Sequence, residues 1–111
     1  MSTIFQKIID RQIPATIVHE DDKSLAFRDI NPQAPVHVLV IPKKAIAKVS
    51  DMREEDRELV GHLVQVAGKV AAKEKLTDFR IVVNNGAGAG QSVFHLHVHL
   101  LGGRPMAWPP G

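Results

Sequence analysis

Cysteine is absent from the chain, which excludes a disulfide framework, a thiol nucleophile and any metal centre ligated by cysteine. No run approaches the roughly 20 consecutive apolar residues that a membrane-spanning helix needs, so no membrane partner is expected. The opening Met1-Ser2-Thr3-Ile4-Phe5-Gln6-Lys7 lacks the basic start and apolar run of a secretory leader. With the missing cysteine, this points to the cytoplasm. Neither sign of charge is concentrated. The net charge of +2 comes from scattered Lys and Arg, which argues against a nucleic-acid partner and is compatible with small anionic ligands. There is no internal repeat, low-complexity tract or linker. The 111 residues have the size of one domain, residues 1–111. A chain of that length buries only roughly 65% of its unfolded surface, which leaves room for an oligomer.

The elements follow from periodicity and punctuation. Thr3 can cap a short helix over residues 4–11, with Ile4 and Ile8, and Phe5 and Ile9, at i,i+4 spacing, and Pro14 closes it. Extended segments are expected at 16–19, 25–28 and 36–41, separated by the turn formers Asp21-Asp22 and Asn31-Pro32. Ser50 and Asp51 compete as caps of a long helix ending near residue 75, and Leu59, Leu63, Val66 and Val70 make its apolar stripe. Strands at 80–84 and 94–101 complete an α+β domain: an antiparallel five-stranded sheet with one long and one short helix.

Three of the six histidines stand in His95-Leu96-His97-Val98-His99. On a strand these imidazoles would share one face, with Leu96, Val98 and Leu100 on the other. A single strand histidine is an ordinary half-exposed side chain. Three on one face would repel as cations and lose basicity on burial, a cost that packing alone does not require. A metal site is one alternative. One straight strand spreads His95 and His99 about 13 Å apart, so two of them would need His37 or another strand as a further zinc ligand. No Glu lies nearby as a general base. The other alternative is a neutral imidazole that attacks phosphorus while its N–H is held by an acceptor, with neighbouring rings donating to phosphate oxygens or to a leaving amine.

The preceding loop, Asn85-Gly86-Ala87-Gly88-Ala89-Gly90-Gln91-Ser92, has glycines that permit unusual φ values and close approach to a ligand. Ser92 and the amides around Gln91 are candidates for a phosphate nest. The loop is neither a dinucleotide-binding fingerprint, since a strand follows it, nor a P-loop, since no Lys-Ser or Lys-Thr follows its glycines.

The stretch Gly90-Gln91-Ser92-Val93-Phe94-His95-Leu96-His97-Val98-His99-Leu100-Leu101 resembles the histidine-triad signature. Asp29-Ile30-Asn31-Pro32-Gln33-Ala34-Pro35-Val36-His37, the segment Leu39-Val40-Ile41-Pro42-Lys43-Lys44, and Trp108-Pro109-Pro110-Gly111 are similar to its Hint branch, the purine nucleoside phosphoramidases. The resemblance implies hydrolysis of AMP-amine or GMP-amine conjugates without a metal or other cofactor. His97 would be the nucleophile that forms a nucleotidyl-histidine intermediate. His99 would contact the phosphate and Ser92 the leaving group, with His95 and His37 as the supporting network. Asn84, Gly90, Gln91, Ser92, Val93 and Val98 would border ribose and phosphate, and Asp29 would take the ribose hydroxyls. Phe5, Ile8, Phe27 and Ile30 would line the slot for the purine. Outside this resemblance, Asp29 is a turn former, His37 a strand histidine, and the four apolar residues are core.

The same resemblance implies a homodimer with the long helix and a strand at its interface, and the C-terminal tail near the partner's site. Pro105 and Ala107 stand where animal members of the branch often have glutamine and histidine, which bears on the leaving group accepted. Two other readings stay open from sequence: a purine-nucleotide-binding signalling module without turnover, and a histidine-ligated metalloprotein.

Overall fold

Thr3 begins the first helix by accepting the Gln6 N–H on Oγ1 at 3.1 Å, the bond that an N-cap threonine supplies to an otherwise unpaired amide. In the computed structural model, which describes residues 2–111, this helix α1 covers Ile4–Ile9. Met1, the first residue of the segment read for a leader, lies outside the described residues. The helix stops short of Pro14. Arg11 turns into the left-handed region at φ 60°, and the Gln12 N–H returns to the Lys7 carbonyl at 2.8 Å, closing the last turn before proline can act.

Strands β1 (Ile17–Glu20), β2 (Ser24–Arg28) and β3 (Val36–Pro42) follow close to their expected places. Asp21 makes the first turn: its Oδ1 accepts the N–H groups of Lys23 and Ser24, both at 2.8 Å. Its Oδ2 accepts from the rings of His19 and His62, each at 2.8 Å, and from Ser24 Oγ at 2.9 Å. Burial opposes ionisation of this carboxyl, but these donors outweigh it and hold the group well below the usual carboxylate range. The cluster ties the β1–β2 turn to the long helix.

That helix, α2, covers Arg57–Lys73, and its start differs from the expected one. Ser50 and Asp51 belong to a separate 3-10 turn, Val49–Asp51, and the Ser50 amide donates to Asn85 Oδ1 at 2.8 Å. A second turn at Glu54–Asp56 leads into α2. There the buried Asp56 accepts the Arg53 N–H at 2.9 Å and Lys44 Nζ at 2.6 Å. Leu63, Val66 and Val70 are buried, as their spacing predicts.

Strands β4 (Phe79–Val82) and β5 (Val98–Gly102) complete an antiparallel sheet of five strands in the order β1-β2-β3-β5-β4. Alternation divides it cleanly. Ala26, Val38, Val40, Val98 and Leu100 form one core against α2, whereas Leu25, Phe27, Leu39 and Ile41 form another with Phe5 and Ile8 of α1. No helix among the described residues is long and apolar enough to cross a membrane. Leu100 has no exposed surface. Leu100→Ala is expected to cost about 3 kcal/mol, measured as a lower urea midpoint at unchanged m-value. A loss below about 0.5 kcal/mol, the range of surface substitutions, would remove this side chain from the core.

Candidate active site

The three triad histidines do not share a strand. Strand β5 begins only at Val98, so His99 is the one member within it. The peptide unit joining His95 to Leu96 is engaged elsewhere: the Leu96 N–H donates to the Ile46 carbonyl at 2.7 Å, and the His95 carbonyl accepts from the His97 ring. With those groups taken, pairing with β3 starts at Val40 opposite Val98. Leu96, Val98 and Leu100 are nevertheless buried, so the apolar side of the expected pattern survives.

Each ring has a defined partner. His97 Nδ1 lies 2.8 Å from the His95 carbonyl. A carbonyl can only accept, so the proton of neutral His97 sits on Nδ1 and the lone pair on Nε2 is free. His95 Nε2 donates to the Pro42 carbonyl at 2.7 Å. The Gln33 amide donates to His37 Nδ1 at 3.0 Å, which puts the proton of neutral His37 on Nε2. That nitrogen lies 2.9 Å from His99 Nδ1 and 3.5 Å from Asp29 Oδ2. His99 Nδ1 is therefore the acceptor, and His99 carries its own proton on Nε2. The pair meets because β3 and β5 set His37 opposite Leu101 and Leu39 opposite His99, so the two imidazoles are diagonal neighbours on one face.

All four rings are less basic than free histidine. Burial is the main cause at His37, His95 and His97; the Asp29 carboxylate opposes it at His37 and His97, and backbone acceptors oppose it at His95 and His97. For His99, burial and then the neighbouring His97 and His37 lower the value to about 4. The array is neutral at physiological pH.

Beside it lies a cavity of ≈ 310 Å³ lined by Phe5, Ile8, Phe27, Asp29, Ile30, Ser92 and Val93, among others. Phe5 joins cavity to triad: its ring stands edge-on to His97 at 5.0 Å and to Phe27 at 5.4 Å. An apolar slot thus opens one aromatic ring away from His97, with the Asp29 carboxylate and the Ser92 hydroxyl in its lining.

A model of the HIT domain family matches residues 10–106. The chain belongs to this family. It is 62% identical over 110 residues to an uncharacterized HIT-like protein of Synechocystis sp., covering 98% of this chain and 96% of the relative. It is 55% identical to the 14 kDa zinc-binding protein of Zea mays, covering 98% and 88% respectively. Its fold matches the crystal structure of a HIT family hydrolase from Legionella pneumophila with a TM-score of 0.96 at 51% identity, over 99% of this chain and 100% of that one. This HIT protein therefore has the fold of a family hydrolase.

Not every expected residue faces the cavity of this HIT domain. The Val98 side chain packs in the core beneath α2, on the opposite side of the sheet from His99. Gln91 is buried and bonds within the protein. Its Oε1 accepts the Gly86 N–H at 2.8 Å, its Nε2 donates to the carbonyls of Ala47 at 2.8 Å and Val93 at 3.0 Å, and its amide turns inward to the Gly86 carbonyl. Gln91 is a brace for the glycine loop. The Gln91 amide is thus taken from the nest expected around it, whereas the amides of Ser92 and Val93 have no internal partner among the described residues. Gly86 and Gly90 stand at φ 93° and 96°, where a side chain would be strained, and Asn84 Nδ2 lies beside Gly90.

The groups that sequence reasoning missed are the carbonyls of Pro42 and His95 and the amide of Gln33. Every residue has such groups, so side-chain identity carries no signal for them. The expected metal alternative joined triad histidines to His37. Among the described residues, the set with ligand atoms all within 4.8 Å of one another is Asp29, His37 and His99. To hold an ion, His37 and His99 would have to give up the bond between them.

Proposed function

We propose that this HIT protein hydrolyses purine nucleoside 5′-phosphoramidates through a nucleotidyl intermediate on His97. The observation that carries the reading is the bond from His97 Nδ1–H to the His95 carbonyl, which leaves Nε2 free as a nucleophile. The purine would lie against Phe5, Ile8, Phe27 and Ile30 and the ribose hydroxyls on Asp29. Asn84 and Gly90 would border the ribose and phosphate, and the phosphate would meet the Ser92 and Val93 amides and the Nε2–H of His99.

In the first step His97 Nε2 forms a bond to phosphorus, the P–N bond breaks, and the amine leaves with a proton that the Ser92 hydroxyl passes on while taking another from solvent water. The imidazolium character that develops on His97 is stabilised through Nδ1–H by the His95 carbonyl. Water then attacks the same phosphorus and gives up a proton to solvent, which replaces the one drawn in the first step. The P–Nε2 bond breaks, and its electron pair returns to His97.

The protein would act in the cytoplasm as a homodimer. Support for the dimer comes from β4, a free sheet edge, and from the exposed Phe79 and Val83 on and beside it and Val64 on α2. The likeness to the maize 14 kDa zinc-binding protein and the Asp29, His37, His99 set favour a second reading, a site that holds zinc.

One steady-state assay separates them. Adenosine 5′-phosphoramidate and AMP-lysine should turn over, guanosine analogues comparably, and diadenosine polyphosphate poorly, all unaltered by excess chelator. Turnover lost on chelation and restored by zinc would replace the metal-free reading, and no turnover of any amidate would leave a nucleotide-binding module.

A further inference from the structure

Arg104 lies outside the cavity just past the end of β5, yet all three nitrogens of its guanidinium donate to backbone carbonyls. Nε and Nη2 both donate to the Gln33 carbonyl, at 3.2 and 3.0 Å, and Nη1 donates to the Pro105 carbonyl at 3.1 Å. A surface arginine with no task leaves most of its donors to water. Here a planar fork grips one carbonyl, a geometry that lysine cannot reproduce.

Gly103 makes a second, independent contact with the same loop. A Cβ on it would come within 2.9 Å of Pro35 Cβ, so the turn at 103–104 lies directly against the segment joining β2 to β3. That segment is also braced internally, by Asn31 N–H to Asp29 Oδ1 at 2.8 Å and Gln33 Nε2 to the Asn31 carbonyl at 3.0 Å.

The consequence runs through Gln33. Its amide is the donor that makes His37 Nδ1 an acceptor, and this decides which nitrogen of His37 carries the proton and, through the 2.9 Å bond, which nitrogen of His99 does. The gripped carbonyl and the donating amide belong to two different peptide units, so the clasp acts by position and not by polarising one amide. Withdraw it, and the Gln33 N–H is free to swing from His37. That imidazole can then hold its proton on Nδ1, and His99 would lose the donor that orients it.

We propose that Arg104 is a positioning residue that, by clasping Gln33, selects the Nε2–H tautomer of His37 and hence of His99. Its kinetic consequence rests on the hydrolase reading above; the tautomer claim does not. The charged and titratable groups facing His37 are Asp29 and His99, with His97 beyond them.

The test is imidazole nitrogen NMR at about pH 7.5, where the rings are neutral, on the full-length parent, Arg104→Ala and Arg104→Lys. The parent should show Nε2–H at His37 and His99 and Nδ1–H at His97. In Arg104→Ala, His37 and His99 should become tautomer mixtures while His97 is unchanged. Arg104→Lys, able to make one bond to Gln33, should lie between and serves if the alanine variant does not fold.

With an amidate substrate, kcat should fall roughly 10- to 100-fold in Arg104→Ala with KM changed less than about twofold, and added guanidinium should restore part of it. Single Nε2–H tautomers retained at both rings in a folded Arg104→Ala would overturn the proposal. Should the parent turn over no amidate, the hydrolase reading fails and the NMR comparison still decides the role of Arg104.

Discussion

His97→Ala is expected to abolish amidate turnover, by at least about 10⁴-fold in kcat, while AMP still binds within a few-fold of the parent. The size follows from the role: removing a nucleophile removes the covalent pathway, and what remains is the rate that positioning alone supports. Binding should survive because the contacts proposed for the purine and ribose, Phe5, Ile8, Phe27, Ile30 and Asp29, line the cavity without His97.

The alanine variant leaves a gap beside Phe5, which stands edge-on to the ring at 5.0 Å. His97→Asn is the paired test, because it fills part of that volume without offering an imidazole. Rapid-quench kinetics and intact mass should detect a nucleotidyl adduct on the parent and none on either variant. Parent-like turnover in both would refute the nucleophile assignment. A parent that binds AMP but forms no adduct would point to a nucleotide-binding module.

Acid should cost this protein its activity first and its fold soon after. The proposed nucleophile must be neutral to attack, and His97 is held below the ordinary histidine value of about 6.5. Activity is therefore expected to be flat through neutrality, with kcat/KM then falling about tenfold per pH unit once His97 protonates. An acid limb centred above about 6.5 would mean that burial does not govern this ring.

Stability follows from the same shifts by linkage. His37, His95, His97 and His99 all have lowered values in the folded state. Below about 6.5 the unfolded chain therefore binds more protons than the native one, and stability must decline as pH falls. The window extends down through His99, at about 4. Asp21, a carboxyl also held low in the folded state, adds a further loss below about 3.9. Urea titrations between neutral pH and about pH 5.5 should thus show a falling midpoint before the carboxylates contribute. A constant midpoint over that interval would contradict the burial of these rings.

Much of the architecture is visible in one dimension. Leu63, Val66 and Val70 recur at helical spacing and are buried on α2; Leu25 to Phe27 and Val38 to Ile41 are apolar and form β2 and β3. Such patterns are local consequences of side-chain direction, and they need no knowledge of the partner surface. The boundaries that differed have local causes at the backbone. Arg11 ends α1 by turning left-handed, and Asp56, not Asp51, receives the amide that precedes α2.

The site divides in the same way. Which residues are proposed to carry the chemistry is written in the chain: three alternating histidines after a glycine loop, an Asp before Asn-Pro, apolar residues at 5, 8, 27 and 30. How those rings are protonated is not. It depends on the carbonyls of His95 and Pro42 and the amide of Gln33, groups common to every residue and distinguished only by where the chain brings them. Residue order sets the side chains and their periodicity; packing in three dimensions sets the tautomers, because a hydrogen bond selects its partner by distance and angle in space.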